Sequence, residues 1–338
     1  MTPGDLPRGH RAIEPRGARD GRFLPHTPLG PGREFDAIRR LLERWGPRAR
    51  QIGDDGAVIS GLGERAVVTS IDTSVHNVHF RRDWLTPADI GYRSAVSALS
   101  DLAAMGARPV GILAALTLPA SWLPRLDQIG DGIGDAAELC NAPILGGDLT
   151  RGEVLSLTFS VLGTARAPLC RSAARPGDFI YVTGQLGGSA SALRDFMGNR
   201  SPSAEALVRF ARPVPRIEEA IWISDKGAKT AIDISDGLAA DLAHVAAASK
   251  VSITVDMNML PTFAGVPAED AVRSGEEYEL AVTSPLELDT GEFEERFQLP
   301  LTLVGRVSAG EASVVLVQDG APIATPRPFA HFPPADPR

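Results

Sequence analysis

The chain has 338 residues, 43% of them hydrophobic and 22% charged, the make-up of a globular protein long enough for two domains. A net charge of −8 and a pI near 5.4 argue against a general binder of nucleic acid or anionic membrane. No apolar run approaches the ~20 residues that span a bilayer. The N-terminus lacks the apolar core of a secretory signal, and two cysteines, Cys140 and Cys170, are too few for a disulfide framework or a zinc site. A reducing cytoplasm is the expected location.

Residues 1–33 are rich in Arg, Pro and Gly without apolar periodicity and read as a flexible basic tail. From Glu34 on, Phe35, Ile38, Leu41, Leu42 and Trp45 fall at helical spacing. Strands are expected over 56–60 and 66–71, parted by a Gly-rich turn. Thr86 as cap and Pro87 at the first helical position open a helix that Gly106 ends. A strand over 110–118, a helix over 121–140 and a strand over 154–162 follow. The aperiodic Ala-, Arg- and Pro-rich segment 164–176 marks a domain boundary. Beyond it come a strand over 179–183, a glycine loop at 184–188, a helix from Ser189, and a strand over 230–234. A helix through Leu242 and Val245 and strands over 251–255, 278–283 and 301–307 complete the pattern. The fold class is α+β, a mixed α/β arrangement in two halves without the strict order of a doubly wound sheet.

One device recurs: an apolar strand, then Asp inside a Gly or Ser turn. It occurs at Asp54-Asp55, at Ser70-Ile71-Asp72, at Gly146-Gly147-Asp148 and at Asp233-Ile234-Ser235-Asp236-Gly237, and Asp101 adds a helical acid. Two unit charges about 4 Å apart interact by ~4 kcal/mol at an effective dielectric of 20. Convergence of these acids therefore calls for a cation, and oxygen-only ligands favour Mg²⁺. Metal bridging phosphate oxygens would also let an acidic protein handle a polyphosphate. No Walker loop is present. The Gly184–Gly188 loop follows a strand and opens a helix, where a phosphate can sit. It does not fit G-x-G-x-x-G and reads as a tight turn.

The stretches GDDGAVI, Asp72 to Phe80, PADIGYRSAVSALSDLAAMGA, ILGGDLTRG, RPGDFIYVTG, AIDISDGLAADLAHV, SGEEYEL and His331-Phe332 together resemble the thiamine-monophosphate kinase family of the AIR synthetase (PurM-like) superfamily. The resemblance runs from Glu34 almost to the C-terminus. It implies a two-domain PurM-like architecture, each domain a sheet packed against helices: an ATP/Mg-binding and dimerisation domain over 34–165 and a C-terminal domain over 171–338. It implies a homodimer paired through the N-terminal domains. It also implies direct in-line transfer of the γ-phosphate of ATP to thiamine monophosphate, with no covalent intermediate. By position, Asp55, Ser70, Asp72, Asp101, Asp148, Asp233 and Asp236 would hold Mg²⁺. Gly147, Asp148, Arg171 and Ser235 would contact ATP, and His79, Glu276 and Phe329 the acceptor. No side-chain base is implied, because the acceptor phosphate is already anionic.

Departures from the family pattern fall mostly on the acceptor side: Ile71, His76-Asn77, Leu149, Glu277 and Pro326. They leave two alternatives open, a related enzyme acting on another phosphorylated acceptor and a non-catalytic ATP-binding regulator. Superfamily members that use a cysteine near one terminus fit less well, since neither Cys140 nor Cys170 is so placed. His76 is expected at the surface and His244 in a structural role.

Overall fold

The computed structural model describes residues 26–49, 52–61 and 63–324. In chain order the elements are α1 (Arg33–Trp45), β1 (Ala57–Ile59), β2 (Ala66–Val75), α2 (Pro87–Ala104), β3 (Arg108–Leu118), α3 (Leu126–Leu139), β4 (Ile144–Arg151) and β5 (Ser156–Ala165). The second half holds β6 (Phe179–Thr183), α4 (Gly188–Met197), α5 (Ala204–Ala211), α6 (Ile217–Asp225), β7 (Thr230–Asp233), α7 (Leu238–Ser249), β8 (Ser252–Asp256) and α8 (Ala268–Ala271). It ends with β9 (Leu280–Ser284), α9 (Thr290–Phe297), β10 (Leu301–Ser308), β11 (Ser313–Gln318) and β12 (Ala321–Ile323).

The first sheet runs β1-β2-β5-β3-β4. On β5, Leu157, Phe159 and Val161 are buried against α2 while the residues between them are only half-buried, so helices cover one face alone. Thr86 caps α2, its hydroxyl accepting from Asp89 N at 3.1 Å. Almost every residue of α2 is buried, because the helix runs between the first sheet, α3, α6 and β7. Its Ala- and Ser-rich sequence suits that crowding. The α2–α3 crossing depends on glycine: a Cβ on Gly132 would lie 1.8 Å from the Ala88 carbonyl oxygen. The helix expected over 121–140 is divided. Pro124, which has no N–H to donate, lies in a 3-10 turn over Ala120–Arg125, and α3 starts after it.

The second sheet runs β12-β11-β8-β10-β6-β9-β7. Ile180, Val182 and Ile232 pack on α7. Tyr181, Val282 and Leu280 belong instead to a core continuous with α2, α6 and α9. The two halves therefore share one apolar interior. Part of the expected tail is held in place: Thr27 N donates to Ile52 O at 3.0 Å and Arg39 donates to Leu29 O at 2.9 Å. Among the described residues no helix is long and apolar enough to cross a membrane.

Candidate active site

A cavity of about 560 Å³ opens between the halves. Its floor is acidic. The loop before β1 brings Asp55, α2 brings Asp101, and the end of β7 brings Asp233, with one carboxylate oxygen of each within 4.8 Å of the others. Ser70 on β2 donates to Asp101 at 2.6 Å, and Ser100 on α2 donates to Asp233 at 2.7 Å. Asp72 also lines the cavity, as do Ser235 and Asp236 from the turn that starts α7. The crowding appears in the proton affinities. Exclusion of water, then Asp233, holds the Asp101 carboxyl well above the usual carboxylate range. Burial, then Asp55, pushes Asp233 up to about 7. All donors are hard oxygens, so the set fits Mg²⁺.

Arg171 supplies positive charge. Its Nε donates to Asp55 Oδ2 at 2.8 Å and a terminal nitrogen donates to Oδ1. Burial alone would lower its pKa, but Asp55 outweighs that and raises it. The same cavity is also lined by His79, Trp84, Phe210, Glu276 and Tyr278. His79 Nδ1 accepts from Val75 N at 3.1 Å. Glu276 forms an ion pair with the buried guanidinium of Arg93, which lies 4.2 Å over the Phe210 ring.

Glu276 and Tyr278 both have left-handed backbones, with φ of 56° and 54°, a conformation that costs roughly 1–3 kcal/mol at each non-glycine position. Two buried acids hold this loop. Glu279 accepts from Arg216 Nε at 2.7 Å, from Arg209 at 2.9 Å and from the Thr183 hydroxyl at 2.7 Å. Burial would raise its pKa, but Arg216 and Arg209 lower it. Glu277 accepts from Gly187 N at 2.8 Å and Ser189 N at 3.1 Å. Within the Gly184–Gly188 loop, Gly187 N is thus satisfied by a carboxylate, and Gly184 N and Leu186 N donate to the carbonyls of Pro300 and Pro261, which fits a tight turn and not a phosphate cradle.

The structure brings Asp55, Ser70, Asp72, Asp101, Asp233, Ser235, Asp236, Arg171, His79 and Glu276 to this region. Gly147 and Asp148 are not among them, contrary to the expectation of one shared cleft within the chain. In register, Asp72 faces Phe159, Phe159 faces Ala114, and Ala114 faces Gly147. That is three strand spacings, about 14 Å. Both residues are exposed on the edge strand β4, beside a separate shallow hollow. Phe329, Pro326 and His331-Phe332 lie outside the described residues.

Ile71 sits on the sheet face opposite Ser70 and Asp72, in register with Ser160. Asn77 takes φ 64°, which asparagine tolerates better than most residues. His76 is not at the surface as expected; it is half-buried against Phe80 and Trp122. His244 packs on Phe35 with ring centres 4.2 Å apart. Arg93, Ser100, Asp241 and Tyr278 were not foreseen. Asp241 is buried and accepts from Asp236 N at 3.3 Å, bracing the acidic turn. Only Ser100 carried a signal, its place beside Asp101.

Residues 53–166 match the family profile of the AIR synthase related protein N-terminal domain, and residues 175–318 match that of its C-terminal domain. The chain is similar to the thiamine-monophosphate kinase of Escherichia coli strain K12, with 37% identity over 89% of this chain and 96% of that protein. It is similar to the solved structure of AaThiL complexed with AMPPCP and TMP, with TM-score 0.77 and 28% identity over 89% of this chain and 97% of the other. It also superposes on the thiamine-monophosphate kinase of Stenotrophomonas maltophilia K279a, with TM-score 0.70 and 33% identity over 85% and 97% of the two chains.

Proposed function

We infer, for a chain that belongs to the thiamine-monophosphate kinase family, that this cleft moves the γ-phosphate of ATP onto the phosphate of thiamine monophosphate, giving thiamine diphosphate and ADP. The observation that carries the reading is the meeting of Asp55, Asp101 and Asp233, from segments far apart in sequence, in a cavity that His79 and Glu276 also line. Asp55, Asp101 and Asp233, with Ser70, Asp72 and Asp236 beside them, would hold Mg²⁺. When bound, that ion supplies neutralisation of the phosphate charge. Arg171 has the planar fork that suits a phosphate, and Ser235, which lines the same cavity, would join it on the nucleotide. Glu276, held by Arg93, suits the cationic thiazolium ring of the acceptor. His79, on the cavity wall, would meet the acceptor phosphate, and Phe329, outside the described residues, would contact the acceptor by its place in the family pattern. The attacking phosphate oxygen is already anionic, so no residue need act as base, and transfer is direct and in line.

We assign a homodimer paired through the open face of the first sheet. Ile71 and Leu113, in register with the same Ser160, are exposed there at 68% and 41%. Asp148 shares that face through Thr158 and Ala115, so a second copy is the natural recipient of Asp148, and of Gly147 through the adjoining backbone, on the nucleotide and metal side. Cys140 and Cys170 are free thiols, in keeping with the cytoplasm. The test is direct: purified protein with ATP, Mg²⁺ and thiamine monophosphate should release thiamine diphosphate, followed by chromatography. ADP without thiamine diphosphate, or nucleotide binding without turnover, would refute the assignment.

A further inference from the structure

Asp55 is claimed twice. One of its oxygens belongs to the acid cluster with Asp101 and Asp233, yet both are taken by the Arg171 fork. The side chains of Arg171 and Asp55 are only 14% and 1% exposed, so little water screens the pair. A divalent cation on Asp55 would face the guanidinium at close range, and like charges there repel.

The backbone around Arg171 is anchored without its side chain. Arg171 N donates to the two oxygens of Asp54 at 3.1 and 3.2 Å. The Ser249 hydroxyl donates to Arg171 O at 2.6 Å and accepts from Ala174 N at 3.0 Å. The guanidinium can therefore leave Asp55 while the 171–173 turn stays in place. Both side chains line the same cavity.

We propose that Arg171 is an exchangeable counter-ion, which holds Asp55 until a nucleotide phosphate draws the guanidinium away and frees the carboxylate for a divalent cation. This deepens the kinase reading and rests on it for the identity of the phosphate. Metal and nucleotide then bind cooperatively through one side chain, and each raises the other's affinity by the same factor. A plain ATP contact would leave metal binding untouched, and a plain structural ion pair would support it.

The experiment uses the full chain as Arg171→Met, with Mn²⁺ as probe and paramagnetic resonance reporting free metal. Without nucleotide, the variant should bind Mn²⁺ at least about tenfold more tightly than wild type, while its affinity for AMPPCP falls. Unchanged or weaker Mn²⁺ binding in the folded variant overturns the proposal. Should Arg171→Met not fold, Arg171→Lys, which keeps the charge and loses the fork, should show a smaller gain, and no gain is equally fatal. A crystal structure of wild type with Mn²⁺ and AMPPCP in which Arg171 still forks Asp55 also overturns it. The nucleotide-free titration does not depend on the kinase reading. A protein that passes it but makes no thiamine diphosphate would sink the reading of function alone.

Discussion

Replacing Asp101 by asparagine removes one of three carboxylates whose oxygens lie within 4.8 Å of one another. Two full charges at that separation repel by about 3–4 kcal/mol at an effective dielectric of 20. The raised proton affinities of Asp101 and Asp233 mean that the metal-free cluster already holds some protons near neutral pH, so the relief is smaller, about 1–3 kcal/mol. The asparagine oxygen can still accept from Ser70, so that contact need not be lost. Asp101→Asn should therefore unfold at higher urea than wild type in the presence of chelator. The gain that wild type shows on adding Mg²⁺, which follows RT ln(1 + [L]/Kd), should largely vanish in the variant. Paired urea titrations with chelator and with Mg²⁺ measure both effects. A variant that is less stable in chelator and still gains from Mg²⁺ would refute the reasoning, since Asp101 would then be a structural acceptor and not part of a metal site.

Glu279→Gln should cost about 3–5 kcal/mol, because Arg216 and Arg209 both lose the buried carboxylate they share; a loss under about 1 kcal/mol in urea unfolding would contradict the buried network. Burial, then Arg171, pushes His244 down to about 4, so the unfolded chain binds this proton more readily. Its contribution of about 3 kcal/mol is present above pH 6.5 and lost as pH falls toward 4. In His244→Asn that part of the pH dependence of unfolding should disappear, and an unchanged profile would count against a buried neutral imidazole. Gly132→Ala should destabilise by at least about 1–3 kcal/mol through overpacking, since its methyl carbon would meet Ala88 O at 1.8 Å; a thermal melt like that of wild type would show that α2 and α3 can part easily.

Local signals were readable where one residue type serves one conformation. Thr86-Pro87 placed the start of α2, and the Asp-bearing runs marked Asp55, Asp72, Asp233 and Asp236, which line the cavity, although Asp72 and Asp148 lie inside β2 and β4 and not in the turns expected. β4 reads in sequence only as an apolar run ending in a Gly-Gly-Asp turn; the strand continues through Asp148 to Arg151 with all its residues exposed, so no alternation of apolar and polar residues announces its length. The helix α5, which supplies Arg209, and α6, which Arg216 immediately precedes, were not foreseen either. Without them the run Glu276-Glu277-Tyr278-Glu279 offers no sign that two of its acids are buried beneath guanidinium groups.

The sequence by itself determined the α+β class, the acid-rich turns and the family, because turn chemistry and motif order are written in neighbouring residues. The tertiary structure alone decided which acids meet. By passing between the two halves, α2 sets Asp101 beside Asp55 and Asp233, whereas three strand spacings keep Asp148 away from Asp72 within one chain. Distances of that kind arise from strand order and helix packing, which no local run of residues encodes.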